Sequence, residues 1–220
     1  MAGNVRPPRT VLDLGCGVGG ASVGYWQAWR CRVIGVDVVP QPNYPFEFVH
    51  ADYFEFLTCS DNLAEIEFIH ASPPCKRWAA FQVDETWPDH ITPLRQCLYR
   101  TRNATGRLIP WVMENVVNAP LRRDIQLCGT SLGLTNGKYE LQRHRYFEFF
   151  PEPVYMRTPW CNHDYDKETV SIWGRSRKWI GYEEVAQDLM QMPWAKWSQF
   201  RDSIPPAYTR WIARRLLLEP

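Results

Sequence analysis

The sequence predicts an α/β domain built on a mostly parallel sheet. Short apolar runs at 10–14, 32–37, 46–52, 66–71 and 111–114 are separated by helix-like or turn-like stretches, the pattern of βαβ units. A glycine-rich turn, Asp13-Leu-Gly-Cys-Gly-Val-Gly-Gly20, links the first run to the first helical stretch. Residues able to do chemistry recur where the runs end.

Taken in order, Thr10-Val-Leu-Asp-Leu14 reads as the first strand and 21–30 as the helix that follows. Arg32-Val-Ile-Gly-Val-Asp37 and 46–52 give the next two strands, 66–71 the fourth and 111–114 the fifth. Two further strands are expected at 126–129 and 145–150. Pro151, Pro153 and Pro159 then mark a composition break, followed by a mixed polar and aromatic segment to about Gly181. The expected organisation is a catalytic and cofactor-binding domain at 1–150, a small lobe at 151–181, and helices at 182–220 returning to the domain. Ile204-Pro-Pro206 opens a last, basic amphipathic helix, proline being favoured in a first turn.

Twenty-five Lys and Arg against 24 Asp and Glu leave a net charge of +1 over 220 residues, so no global basic field advertises nucleic acid. That balance conceals an asymmetry. Residues 1–73 hold 4 basic and 8 acidic side chains, net −4, and the remainder 21 and 16, net +5. No run of about 18 apolar residues suggests a membrane span, and no signal-peptide core is evident, so a cytoplasmic protein is expected. Seven unframed cysteines fit a reducing compartment.

The glycine turn lets backbone approach a ligand and aims a helix N-terminus at it. Asp37 can accept from both hydroxyls of a ribose and Asp52 from an adenine amino group, although either could simply cap a helix. Together they suggest an adenosine-containing ligand. Ser72-Pro-Pro-Cys75 follows the fourth strand; its prolines stiffen the exit and fix the direction of Cys75, a candidate nucleophile. Lys76, Arg77 or an arginine from elsewhere could activate the thiol. Glu114, in Glu114-Asn-Val116, could stay protonated at the rim and donate to a ring nitrogen. Strand alternation puts Arg143 and Arg145 on one face and His144 on the other.

In these residues and their order the chain resembles the cytosine carbon-5 DNA methyltransferases, whose motifs include Asp-Leu-Phe-Cys-Gly-x-Gly-Gly, Pro-Pro-Cys, Glu-Asn-Val, Gln-x-Arg-x-Arg and Gly-Asn-x-Val-Pro-Pro. The resemblance covers 10–150 and 199–218. It implies a Rossmann-like class I S-adenosylmethionine-dependent methyltransferase fold, and transfer of a methyl group to carbon 5 of a cytosine flipped from duplex DNA. It implies that Cys75 attacks carbon 6, Glu114 holds ring nitrogen 3 and the amino group, and Arg145 with Arg143 holds the carbonyl. Asp13, Gly15, Cys16, Gly17, Gly19, Gly20, Asp37, Val38, Asp52, Tyr53, Pro73, Asp202 and Ser203 would hold S-adenosylmethionine. A loop from Lys76 to about Ile91, with Trp78, Phe81 and Trp87, would close over DNA. The stand-alone monomeric enzymes of bacteriophages and prophages are the nearest kind, in a bacterial host and with or without a restriction partner. The rivals are a DNA-binding homologue with little or no turnover and an RNA cytosine methyltransferase.

The chain departs from the motifs at Gly15, which replaces Phe; at Leu141, where Gln is usual, with Gln142 adjacent; and at Asp202, which replaces Asn and would repel a cofactor carboxylate unless Arg201 compensates. Lys76, Arg77, Arg157, Arg175, Arg177 and Lys178 are the candidate DNA contacts, with Lys167 and Trp179 nearby. Cys161-Asn-His163 offers two metal ligands with no second pair evident, so no metal site is expected. Cys16 is read as part of the turn, and Cys31, Cys59, Cys97 and Cys128 as buried small hydrophobes.

Overall fold

A computed structural model describes residues 8–79, 83–170, 172 and 182–217. The elements run β1 (Thr10–Leu14), α1 (Gly20–Trp29), β2 (Arg32–Asp37), β3 (Glu47–His50), α2 (Tyr53–Thr58), α3 (Ser60–Leu63), β4 (Phe68–Ala71), α4 (Ile91–Leu98) and β5 (Trp111–Asn115). Beyond these come β6 (Ile125–Leu127), β7 (Thr135–Asn136), β8 (Tyr139–Glu140), β9 (Arg145–Phe150), β10 (Glu168–Thr169), α5 (Tyr182–Met190), α6 (Trp197–Phe200) and α7 (Pro206–Leu216). Each expected strand forms, shifted by a residue or two at its ends. No helix among the described residues is long and apolar enough to cross a membrane.

Seven strands form one sheet in the order β3-β2-β1-β4-β5-β9-β6. β1 to β5 are mutually parallel, and β9 enters antiparallel between β5 and β6. The chain is therefore α/β with the Rossmann-like class I arrangement. β1, β4 and β5 are buried along their whole length, as strands covered on both faces must be. One face packs Leu12, Leu14, Ile69, Trp111 and Met113 under α2 and α4. The other packs Val11, Val33, Val112, Phe147 and Phe149 against α1, α5 and α7.

α1 and α7 lie in close contact because Gly24 has no Cβ; one placed there would overlap the Thr209 hydroxyl and the Pro206 carbonyl. Trp29 donates to the Ala213 carbonyl at 3.0 Å and Thr209 to the Ala21 carbonyl at 2.7 Å. A small second sheet, β10-β8-β7, joins the segment after Phe150 to the β7–β8 hairpin. Met156, Val170 and Ile172 are buried in the same apolar cluster as β9.

Candidate active site

Order reversal beside β1, with β2 on one side and β4 on the other, opens a crevice at the carboxyl ends of these strands. The glycine turn sits there, with Gly15, Gly17 and Gly19 at φ +69°, +48° and +87°, values open to glycine at no steric cost. Gly17 donates its backbone N–H to Asp37 Oδ2 at 2.9 Å, and Val39 donates to Oδ1 at 2.8 Å. That carboxylate closes β2 onto the turn. Val38 beside it is 64% exposed, an apolar surface at the rim. Asp52 caps α2, accepting from Phe54 at 2.7 Å and Glu55 at 3.3 Å through Oδ1, the helix-cap role that its position also allowed. Tyr53 is buried, with its hydroxyl 2.6 Å from His90 Nδ1. Asp13 is fully buried, bonded to the Ser22 hydroxyl, which in turn meets Tyr44 Oη at 2.6 Å. Burial lifts the Asp13 carboxyl to about 7, with Ser22 opposing and the Asp37 charge adding to the rise. Cys16, in the glycine turn, is buried and packs where a Cβ on Gly35 would fall.

The glycine turn touches the candidate nucleophile's loop directly. A Cβ on Gly15 would stand 2.5 Å from the Ser72 carbonyl oxygen, so a phenylalanine has no room here and the departure from the motif is enforced by backbone packing. Ser72 extends β4 by donating to the Leu14 carbonyl at 2.8 Å, and Asn115 Nδ2 anchors the Pro73 carbonyl at 2.8 Å. Cys75 is thereby held beside the end of β5. Its thiol is pushed above its ordinary value by burial, with Arg145 and Arg143 pulling it down and Glu114 and Asp202 adding to the rise.

Glu114 and Arg145 face each other across the β5–β9 pair, with Arg145 Nε 2.8 Å from Glu114 Oε1 and both side chains buried. Burial raises Glu114, while Arg145, Arg143 and a hydrogen bond with Ser72 limit the rise. Arg143 donates to the carbonyls of Arg201 at 2.7 Å and Ser203 at 2.6 Å, and its own carbonyl accepts from Tyr208. Cys75, Glu114, Arg143 and Arg145 thus lie close to one another. What the motifs missed is the support behind them: Tyr25 Oη lies 3.1 Å from His70 Nδ1, and His70 Nε2 lies 3.0 Å from Ser72 Oγ. Burial depresses His70 to about 3, so this imidazole is neutral. An interior histidine three residues before the Pro-Pro-Cys motif was the available signal.

Of the activating partners open to Cys75, the structure favours an arginine from elsewhere over Lys76 and Arg77. Lys76 lies over the Trp87 ring at 3.9 Å, and Arg77 Nη1 donates to the carbonyls of Glu85 and Trp87, the latter at 2.8 Å. Both serve their own loop, and the basic groups acting on the thiol are Arg145 and Arg143. Phe81 lies outside the described residues, as do Arg175, Arg177, Lys178 and Trp179. Arg157 is exposed, while Lys167 bonds to the Thr135 hydroxyl at 2.7 Å. Asp202 is paired with Arg201, whose Nε lies 3.2 Å from its Oδ1. Ser203 is buried, bonded to the Gln199 carbonyl at 2.8 Å, and Leu141 is a core residue. Gln142 turns to Glu140 at 2.5 Å.

The cysteines also depart from expectation. Cys59 is exposed and Cys97 only half-buried, because Cys59 forms the short corner between α2 and α3. Cys128 is buried but not inert. Its Sγ lies 3.5 Å from His163 Nε2 and receives a 3.3 Å hydrogen bond from Thr130. Against burial, which raises it, hydrogen bonds with His144, Thr130 and His163 pull the Cys128 thiol down to about 5. Cys161 and His163 therefore have the second pair that chain spacing did not reveal.

No family model matches the chain, and no curated protein matches it. Solved structures do. A DNMT2 mutant from Spodoptera frugiperda is 17% identical over 63% of this chain and 48% of that chain, with a TM-score of 0.41. A putative DNA modification methyltransferase encoded within prophage Cp of E. coli is 18% identical over 64% and 45%, TM-score 0.40. An RNA methyltransferase from Salinibacter ruber, in complex with S-adenosyl-L-homocysteine, is 15% identical over 66% and 82%, TM-score 0.36. The chain spans about half the length of the first two.

Proposed function

We propose that the chain transfers a methyl group from S-adenosylmethionine to carbon 5 of cytosine in duplex DNA, through covalent attack by Cys75. The observation that carries this reading is the convergence of a thiol, a buried carboxyl group and two buried guanidinium groups at the strand ends beside the glycine turn. Those are the groups needed to add to a pyrimidine ring and to hold the charge that the addition creates.

The residues present fit the donor. Three positive-φ glycines expose backbone beside the N-terminus of α1, Asp37 suits a ribose, and Val38 and Asp52 suit an adenine ring. Bound there, S-adenosylmethionine supplies an electrophilic methyl group. Arg143 and Arg145 lower the cost of ionising Cys75, whose sulfur then forms a bond to carbon 6 of the base. Glu114, whose carboxyl group burial raises, is placed to donate to ring nitrogen 3 when protonated, so that electron density gathers at carbon 5. Methyl transfer to carbon 5 would leave S-adenosylhomocysteine; water would then take the carbon 5 proton, the electrons of that C–H bond would restore the ring double bond as the bond to Cys75 breaks, and ring nitrogen 3 would return its proton to Glu114. The thiolate is regenerated. Ser72 and His70 keep Glu114 in place while the ring moves through these stages.

Exposed aromatic side chains support a nucleic-acid partner. Tyr155, Trp160 and Tyr165 are 69%, 87% and 98% exposed on the segment after Phe150, close in sequence to Arg157. Rings of this kind stack on unpaired bases, and the arginine supplies phosphate contact. The test is incubation with labelled S-adenosylmethionine and either duplex DNA or RNA, followed by nucleoside analysis. 5-Methylcytosine in DNA, lost in Cys75→Ser, is the expected result. Label in RNA alone, or Cys75→Ser methylating normally, would overturn the assignment.

A further inference from the structure

Cys128, His144, Cys161 and His163 each place one ligand atom within 4.8 Å of all the others. We propose that these four residues form a tetrahedral zinc site that fastens the segment after Phe150 to the edge of the catalytic sheet. Cys161 Sγ lies 2.9 Å from His163 Nε2 and 3.5 Å from His144 Nε2, and Cys128 Sγ lies 3.5 Å from His163 Nε2. Ligands at zinc–sulfur and zinc–nitrogen distances of about 2.3 and 2.0 Å in a tetrahedron stand roughly 3.3–3.8 Å apart. The side chains are near coordination spacing before any ion is added.

The donor set selects the metal. Two sulfurs and two imidazoles in a closed tetrahedron favour zinc over the hard cations, which prefer oxygen. Two thiolates cancel the ion's charge, so the site carries no net charge. Thr130 Oγ1 lies 3.3 Å from both sulfurs, a hydroxyl placed to donate to thiolate ligands. Four protein ligands leave no open position, which makes the site structural rather than catalytic.

Its position gives it a role. Cys128 follows β6 at the sheet edge, His144 precedes β9, and Cys161 and His163 lie beyond Phe150. The site joins three segments separated in sequence, and the neighbouring links among the described residues include Gln126 N–H to Thr158 Oγ1 at 3.0 Å, Asp164 N–H to Glu140 Oε2 at 3.0 Å, and the β10–β8 pair. His144 stands between Arg143 and Arg145. Fixing its imidazole holds the peptide that leads from Arg143 into Arg145 at the start of β9. The same ion orients the stretch bearing Trp160 and Tyr165.

The test is metal analysis of the full-length protein purified without chelator, followed by cobalt titration of the metal-stripped protein. About one zinc per chain is expected. It should be retained in Cys59→Ser, whose exposed thiol lies outside the cluster, and lost in Cys161→Ser and His163→Ala. Cobalt should saturate at one equivalent, with the strong visible bands of tetrahedral coordination and a thiolate charge-transfer band. The wild-type titration decides the matter even if the variants do not fold. Zinc well below one equivalent with no saturable cobalt spectrum, or a Cys128–Cys161 disulfide in the purified protein, would overturn the proposal. Neither readout depends on methyl transfer, so this site and the proposed reaction stand or fall separately.

Discussion

Replacing Asp13 by asparagine should change how stability responds to pH. Asp13 is fully buried and its carboxyl group is lifted to about 7, chiefly by burial. The unfolded chain has no such burial, so there the residue ionises near its ordinary value of 3.8. Between those two values the native state keeps a proton that the unfolded state has released, and stability falls as pH rises. Below about pH 4 both states are protonated and the penalty vanishes; above about pH 7 it is complete. A separation of about three pKa units at 1.36 kcal/mol each gives a penalty of about 4 kcal/mol. Asp13→Asn keeps an oxygen acceptor for Ser22 and cannot ionise. Relative to the natural protein it should gain about 4 kcal/mol of unfolding free energy between pH 4 and pH 8. Urea denaturation of both proteins across that range measures the difference. Stability curves that run parallel would refute the reasoning, because they would mean that Asp13 titrates alike in both states.

Gly15→Ala should destabilise the fold by about 2–4 kcal/mol, through its positive φ and the approach to the Ser72 carbonyl; thermal unfolding within a degree or two of the natural protein would count against the enforced glycine. Arg201→Ala should weaken S-adenosylmethionine binding several-fold at low salt by leaving the Asp202 charge unpaired, and high salt should shrink the difference; calorimetry at two ionic strengths tests both parts. Replacing Trp160 and Tyr165 together by alanine should weaken DNA binding by about 1–3 kcal/mol per stacked base without altering the melting temperature, since both rings are exposed. Equal affinity at matched salt would remove them from the interface.

The parts of the site that were legible in sequence are those whose chemistry is local. The glycine turn, the Pro-Pro-Cys exit and the Glu-Asn end of β5 each pair a strand with the residue type that its last turn must present, and a few consecutive residues suffice to see it. Strand alternation pointed to Arg143 and Arg145 together, although β9 begins only at Arg145 and Arg143 lies just before it. The antiparallel entry of β9 between β5 and β6 was not legible, because pairing order depends on contacts between segments far apart. For the same reason Cys128 read as a small hydrophobe: its partners lie 16, 33 and 35 residues away, and no spacing rule joins a strand edge to a proline-rich segment. Lys76 and Arg77 looked available to a thiol because sequence gives proximity without direction. Their side chains turn instead into the loop that they stiffen.

Arg143 places a limit on how the site can be studied and how it can change. The guanidinium that would meet the base also grips two carbonyls of the segment leading into α7, while Tyr208 of that helix returns a bond to its backbone. Replacement by an uncharged residue alters the pocket's charge and releases the closure of the chain in one stroke, so activity lost in such an Arg143 variant would not separate chemistry from assembly. Arg145 has its side-chain ion pair with Glu114 inside the pocket and is the cleaner probe. Drift at position 143 would meet two selective filters at once, and one side chain would answer to both.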